Sequence, residues 1–349
     1  MTLHKSILEA FVKLGQFLRD FCNANSEDGE WHTAFTEAIT LAKHHNGWFT
    51  KENIHYALEG WGELLTDEKL YNWLSSYNLE SNHPKTVAII MAGNIPLVGF
   101  HDFLSVLLTG NNVLAKLSSN DKILLPTIAQ YLMAVEPLLI ERISFTEEKL
   151  EHFDAVIATG SNNTARYFEQ YFSKKPNIIR RNRNSVAVLT GNESPEELAA
   201  LGEDIFRYYG LGCRNVSKLF VPEGYDFDAF FKAIYDYNPI IQQAKYANNY
   251  DYNKAVYLMS EFSILENGFL MLKEDESYAS PIASVFYETY STIEGLQKKL
   301  KKDEDKIQCV VANNLTEHEV SFGTTQRPQL NDYADSVDTV DFLLKTSQI

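Results

Sequence analysis

The sequence predicts an α/β protein in which parallel strands alternate with helices, preceded by an all-helical region. Three observations carry that expectation. From about residue 86 onward, short apolar runs recur between amphipathic helical stretches, the grammar of a parallel sheet covered on both faces. The first 80 residues show only helical spacing of apolar positions. The chain has 349 residues with 45% hydrophobic and 22% charged side chains, enough for two domains or one large α/β unit and without the polarity of a disordered chain.

LHKSILEAFVKLGQFLRDF and ENIHYALEGWGELLTDEKLYNWLSSY read as amphipathic helices. They lie in the stretch that also holds Trp31, Trp48, Trp61 and Trp73, large aromatics suited to filling helix interfaces. TVAIIMAG (86–93) then reads as a buried strand, followed by a helix over VGFHDFLSVLLTG. NVLAKLS (112–118) and AVIATGS (155–161) read as strands, each followed by a helical stretch, KILLPTIAQYLMAV and NNTARYFEQYF. NIIRRN and SVAVLTG (185–191) are further strands. A second unit starts near residue 192, with a helix over SPEELAALGEDIFRYYG capped by Ser194 and stopped at Gly210. GLGCRNVSKLFVP turns into a strand, and KYANNYDYNKAVYLM is a polar aromatic segment. GFLMLKE, SPIASVFYETY and IQCVVANN are strand candidates, with a charged helix over TIEGLQKKLKKDED.

Composition excludes several function classes. A net charge of -16 argues against a nucleic-acid groove, which needs a basic surface. Any anionic ligand must be met by a local basic pocket. No apolar run of membrane-spanning length occurs, and the start MTLHKSILEAFVKLG lacks the h-region of a signal peptide, so no membrane span and a cytoplasmic location are expected. Cys22, Cys213 and Cys309 are odd in number and unevenly spaced, which is no disulfide framework and suits a reducing compartment. CxxC and HExxH patterns are absent, so no metal is expected.

Cys213 is the sharpest candidate for chemistry. It stands between Gly212 and Arg214, with Gly210 and Lys218 nearby. Glycines admit a ligand close to the backbone, and cations favour the nucleophilic thiolate. A thiol exchanges readily with another thioester, although an isolated cysteine is more often a small core hydrophobe. Cys22, in a helical pattern, and Cys309, in the strand IQCVVA, fit that plainer role. In AGNIPL (92–97) a strand ends, Gly93 permits a turn and Asn94 follows; an amide there can donate to a developing oxyanion or stabilise its own turn. Thr159, Gly160 and Ser161 end a strand before a helix, where backbone N–H groups can meet phosphate. Neither GxGxxG nor GxxxxGK[ST] occurs.

Taken together and in order, these segments resemble the aldehyde dehydrogenase superfamily. GNIP is similar to its N-x-P turn, which puts Asn94 on the oxyanion asparagine. TGNNVLAKLSSND resembles its G-N-x-x-x-x-K-x-S segment, with Lys116 on the lysine that contacts the cofactor ribose and Ser118 following. DAVIATGS resembles the strand ending in T-G-S, and GLGCRNVSKLFVPEG the G-x-x-C segment. The similarity is closer to the LuxC-like acyl-CoA reductases, through MAGNIPLVGFHDFL, DAVIATGSNNTARYFEQYF, NIIRRNRNSVAVLTG, FRYYGLGCRNVSKLFVP, KYANNYDYNKA and DYADSVDTVDFL. These blocks cover most of the chain from about residue 86 to the end.

The resemblance implies an aldehyde dehydrogenase-like fold with two Rossmann-type α/β domains and an N-terminal helical region. The expected boundaries are 1–80 for helices packed on the cofactor domain, 81–191 for the nicotinamide-cofactor domain, 192–315 for the catalytic domain with Cys213, and 316–349 for a C-terminal segment. It implies NADPH-dependent reduction of a fatty acyl-CoA to an aldehyde, with CoA as leaving group. Catalysis falls to Cys213 and Asn94, and cofactor contacts to Lys116, Ser118, Gly160, Ser161, Arg180 and Arg181. Two departures bear on this. Where hydrolytic relatives carry a water-activating glutamate in E-L-G-G, this chain reads IIRRNRNSVAVL, so water attack on an acyl-enzyme should be slow. Arg180, Arg181 and Arg183 in that stretch either meet phosphates of NADPH or CoA or form a surface basic cluster. ESYASPI resembles the E-x-F-G-P segment with Glu276 one place out of register. An acyl-phosphate reductase and a catalytically silent binding protein are the alternatives. A homo-oligomer, or a complex with an acyl-activating enzyme, fits the family.

Overall fold

The computed structural model describes residues 3–23, 29–79, 83–315 and 319–346, and of Leu3 and His4 only the backbone. The expected boundaries near 80 and 316 fall on residues outside that set. The chain divides into two units, Met1–Arg181 with Gln329–Ile349, and Asn182–Pro328.

The first unit opens with four helices, α1 (Leu3–Cys22), α2 (Glu30–His45), α3 (Lys51–Leu64) and α4 (Asp67–Leu74). Thr50 and Thr66 start α3 and α4 by accepting the N–H of Asn53 and Lys69. Strands and helices then alternate: β1 (Thr86–Ile90), α5 (Phe100–Leu108), β2 (Asn112–Lys116), α6 (Leu124–Val135), β3 (Ile143–Phe145), β4 (Ala155–Thr159), α7 (Asn162–Phe172) and β5 (Asn177–Arg180). The strands form a parallel sheet in the order β3-β2-β1-β4-β5. Chain direction across the sheet therefore reverses between β1 and β4, the point where open parallel sheets leave a crevice beyond their carboxyl ends.

The two faces of this sheet are covered unequally. Val87, Ile89, Val113 and Ala115 pack into one large core with α1, α5, α6, the remaining N-terminal helices and Val340 and Leu343 of the C-terminal helix Thr339–Thr346. Trp73 is buried there and Trp31, Trp48 and Trp61 pack half-buried against it, as expected for helix-interface aromatics. On the other face Ala88, Val156 and Ala158 form a smaller cluster with Phe168 and Phe172 of α7 and the loop residues Leu150 and Phe153. The β3–β4 connection, residues 146–154, carries no helix, so part of that face stays open.

The second unit contains β6 (Asn184–Val188), α8 (Pro195–Phe206), β7 (Val216–Pro222), α9 (Asp228–Ala233), α10 (Ala244–Met259), β8 (Ile264–Glu266), β9 (Met271–Glu274), β10 (Ser284–Tyr290), α11 (Ile293–Lys302) and β11 (Ile307–Val311). Its sheet runs β11-β6-β7-β10-β9-β8, parallel except at the β8–β9 edge. Alternation puts Ala187, Leu189, Leu219 and Val221 in one core, and Val186, Val188 and Phe220 in the other. The polar aromatic segment KYANNYDYNKAVYLM is helix α10.

Two expected divisions move. SVAVLTG, expected in the first unit, forms β6, which pairs with β7 and β11, so the boundary lies at 181/182 rather than 191. The segment expected to stand apart after 316 returns to the first unit from Gln329. Specific bonds bring it there: His101 Nε2 lies 2.8 Å from the Leu330 carbonyl oxygen, and Tyr77 donates to Asp338 at 2.6 Å. Tyr333 stands between the Trp73 indole N–H and the Tyr77 hydroxyl, at 2.8 Å from each.

Arg180 is the deepest of these ties. At the end of β5 its guanidinium pairs with Asp102 of α5 and donates to Thr339 Oγ1 at 3.1 Å, with both charged side chains buried. Removing one member of such a pair strands the other charge. Asp102→Ala is expected to lower unfolding free energy by about 3–5 kcal/mol, whereas joint replacement by Asp102→Leu and Arg180→Met should restore most of it. Urea unfolding of the three variants measures this, and an additive double variant would refute it.

Candidate functional site

The site in the first unit grows from the carboxyl ends of β1, β2 and β4, adjacent strands whose tips share one edge. The Met91 N–H extends the ladder to the Lys116 carbonyl at 3.1 Å, and the Gly160 N–H does the same to Arg180 at 3.2 Å. Gly93 follows β1, and a Cβ there would stand 2.5 Å from Ser118 Oγ, so only glycine lets the two tips touch. Asn94, Lys116, Ser118, Gly160 and Ser161 are thus brought to one edge of one sheet. Ser118 Oγ accepts the Asn120 N–H at 3.2 Å, and Ser161 caps α7 by accepting the Thr164 N–H at 3.3 Å. Both hydroxyls shape the turns that carry them.

Lys116 ends β2 and reaches out to the Glu148 carbonyl at 2.8 Å. It lines an open cleft of about 700 Å³ on the thinly covered face, with Ile90, Leu150, Phe168, Tyr167, Tyr171 and Lys149 among the walls. Lys149 lies 5.9 Å from the centre of the Tyr171 ring. Aromatic walls with two ammonium groups suit a flat ring system carrying phosphate.

Of the basic stretch, Arg180 departs from its expected place at a phosphate. Arg180 is committed to Asp102 and Thr339. Arg181 pairs with Glu169 on α7, and Arg183 donates to the Glu304 and Ile307 carbonyls at 3.1 and 3.3 Å. Arg180 serves the core of its unit, whereas Arg181 lies exposed, as a surface basic group would.

Asp121 is a residue the sequence reading passed over. It is buried and accepts the N–H of Leu97 at 3.1 Å. Leu97 has φ 58°, so this carboxylate holds a left-handed turn three residues after Asn94. Burial raises its carboxyl from 3.8 to about 6, against main-chain N–H groups that pull it down.

In the second unit, Cys213 lies between α8 and β7 on a turn from Gly212 to Asn215. Ser194 and Glu197 start α8 with a reciprocal cap, as expected for Ser194. The helix ends at Phe206, four residues before the expected stop, because Tyr208, Tyr209 and Gly210 have φ of 55°, 60° and 75°. Left-handed backbone at a tyrosine costs about 1–2 kcal/mol, and strain of this kind gathers at functional sites. Asn215 closes the turn, and Ser185 Oγ donates to the Cys213 carbonyl at 3.0 Å. Arg214 Nε donates to the Thr325 carbonyl at 2.5 Å.

Lys218, read as a cation near Cys213, is fully buried on β7 and directed elsewhere. Its ammonium meets Glu288 at 2.7 Å and the Asp275 and Glu276 carbonyls at 3.0 and 2.8 Å. Burial lowers its pKa, opposed by Glu288. Glu276 is exposed on the β9–β10 loop. Cys22 packs half-buried against the helical core and Cys309 is buried in β11. Among the described residues no cluster of His, Cys, Asp and Glu stands ready to hold a metal ion, and no helix is long and apolar enough to cross a membrane.

The raised pKa of Asp121 has a consequence for stability. With about 6 in the folded chain and 3.8 unfolded, the folded state holds the extra proton between those values. The stabilisation is complete below pH 4 and is lost as pH rises through 6, by at most about 3 kcal/mol. Relative to Asp121→Asn, wild type should therefore lose stability between pH 4 and 7. Urea unfolding across that range checks it, and a pH-independent difference would refute it.

Comparison with known proteins agrees with this architecture. Aldehyde dehydrogenase 21 from Physcomitrella patens, solved with its reaction product succinate, superposes with a TM-score of 0.65 at 13% identity, covering 97% of this chain and 87% of that one. A Mycobacterium tuberculosis aldehyde dehydrogenase complexed with NAD+ gives 0.61 at 14% identity, over 89% and 77%. The aldehyde dehydrogenase KauB from Pseudomonas aeruginosa gives 0.61 at 13%, over 89% and 75%. The fold is thus that of the aldehyde dehydrogenases. No curated protein matches by sequence. The family model for acyl-CoA reductase (LuxC) matches residues 7–235, most of the chain and including Asn94, Lys116 and Cys213, and the chain therefore belongs to the LuxC acyl-CoA reductase family, oxidoreductases of aldehyde chemistry.

Proposed function

We propose that the protein reduces a long-chain fatty acyl-CoA to the aldehyde with NADPH, through an acyl-thioester on Cys213. The observation that carries this reading is the family match that spans the Cys213 turn. The arginine-rich 178–189 stretch, which has no acidic side chain where a water-activating glutamate would stand, adds a chemical reason. An acyl-enzyme without a positioned base persists long enough to be reduced.

In this mechanism Cys213 Sγ attacks the thioester carbonyl and the C–S bond to CoA breaks, so the acyl group moves to Cys213 and CoA leaves as its thiolate. Asn94 has the role of oxyanion donor through its amide, together with the Cys213 main-chain N–H. A nicotinamide held beside the acyl-enzyme would supply the hydride that the acyl carbon takes up. Collapse of the resulting thiohemiacetal then frees the aldehyde and returns Cys213 to its thiolate. Tyr167, Phe168, Tyr171 and Lys116, which line the open cleft in the first unit, would hold the cofactor's adenosine by stacking and charge. The start of α7, capped by Ser161 and preceded by Gly160, would place the helix N-terminus toward phosphate. A homo-oligomer, or an acyl-activating enzyme as partner, fits this chemistry, as does a cytoplasmic location.

Cys213→Ala is expected to abolish both acyl labelling and NADPH oxidation. Purified protein supplied with NADPH and acyl-CoAs of graded length, scored for aldehyde and free CoA, should show equimolar products and a preference for long chains. Turnover by Cys213→Ala, or faster reduction of an acyl phosphate than of any acyl-CoA, would overturn the assignment.

A further inference from the structure

We propose that Asn215 is a positioning residue for Cys213, acting through the turn that carries the thiol. The inference rests on the reading of Cys213 as nucleophile. Asn215 is 2% exposed, and its side-chain amide is spent entirely on main chain. Its Oδ1 accepts the Gly212 N–H at 2.8 Å. Its Nδ2 donates to the carbonyls of Arg207 at 2.8 Å, Asp204 at 3.1 Å and Ile205 at 3.4 Å. The Asn215 N–H in turn reaches the Gly212 carbonyl at 3.1 Å.

These bonds have two separable effects. The Oδ1 and main-chain contacts bracket Cys213 between two ends of one closed turn. The Nδ2 contacts fasten that turn to the last carbonyls of α8, which are orphaned where a helix ends. Between the two anchors runs Tyr208-Tyr209-Gly210, whose left-handed backbone would relax if the turn came loose. Asp204 extends the hold: buried in α8, it accepts the N–H of Gly323 at 2.7 Å and of Thr325 at 2.9 Å. The Thr325 carbonyl then takes Arg214 Nε. Both residues that follow Cys213 are therefore tied to α8, one directly and one through Thr325. A buried amide with this many main-chain partners fixes a loop to within a fraction of an ångström, the tolerance a nucleophile needs.

Only an asparagine side chain offers both an acceptor at Oδ1 and a donor at Nδ2 in this shape. The Asn215→Asp change would keep the acceptor and set a carboxylate against three carbonyl oxygens, so Asn215→Asp and Asn215→Ala separate the two effects. Leu219→Ala, in the core of the same unit, serves as a control that loses stability without touching the turn. The measurements are kcat and KM for acyl-CoA reduction, and site-resolved alkylation of Cys213 by iodoacetamide as a function of pH.

Asn215→Ala is expected to lower kcat about a hundredfold, leave KM for NADPH unchanged, and move the pH midpoint of Cys213 alkylation. Asn215→Asp should show the same direction, and Leu219→Ala neither change at a comparable melting temperature. Equal kcat and equal alkylation profiles for Asn215→Ala and Leu219→Ala would overturn the proposal, leaving Asn215 a structural residue. Should Asn215→Ala not fold, Asn215→Asp measured against Leu219→Ala decides by the same criterion. Failure of the underlying reading looks different: Cys213→Ser would then keep its NADPH oxidation, whatever the Asn215 variants do.

Discussion

The parallel arrangement of β1 between β2 and β4 is the constraint on which the first unit's chemistry depends. Parallel strands all end on the same edge, so residues separated by more than sixty positions along the chain arrive together without any direct attraction between them. Asn94, Lys116 and Gly160 share an edge because the register aligns Ile90 with Lys116 and with Ala158. The reversal of chain direction at β1/β4 opens a crevice there. Gly93 completes the arrangement by letting one strand tip touch the next.

Unequal covering of the sheet adds the second element. One face is sealed by the N-terminal helices and the returning C-terminal segment, which Arg180, Asp102 and Thr339 lock from inside. The opposite face has α7 and a loop that forms no helix, and the open cleft lies there. The four N-terminal helices thus act on the site indirectly, as the packed backing of the sheet's other face.

The second unit presents its candidate nucleophile differently. The first unit presents groups from strand ends, whereas Cys213 sits on a turn between a helix and a strand and is held by side chains. Asn215, Ser185 and Arg214 each bind main chain, and the left-handed run before Cys213 keeps α8 from continuing into it. Backbone conformations of that kind are stable only where surrounding bonds over-determine them.

Most of the fold was legible in residue order. Alternating apolar strands and amphipathic helices announced the parallel sheets, and Gly93, Gly160 and Cys213 stood at strand ends or turns where local chemistry made them candidates. Short strands such as β3 and β8, of three residues each, leave too little pattern to be seen. The assignment of β6 to the second sheet was invisible, since a buried apolar strand reads alike in either sheet and only its neighbours decide. The roles of Arg180 and Lys218 were misjudged for a related reason. Charge is written in the sequence, but whether a cation faces solvent, a ligand or a buried carboxylate depends on partners such as Asp102 and Glu288, 78 and 70 residues away. Asp121 and Asn215 carried no signal beyond being polar residues in turns, because burial creates their importance. Local periodicity and motif order therefore determined the class of fold and singled out Cys213 as the candidate thiol, while tertiary packing alone decided which polar groups hold the frame.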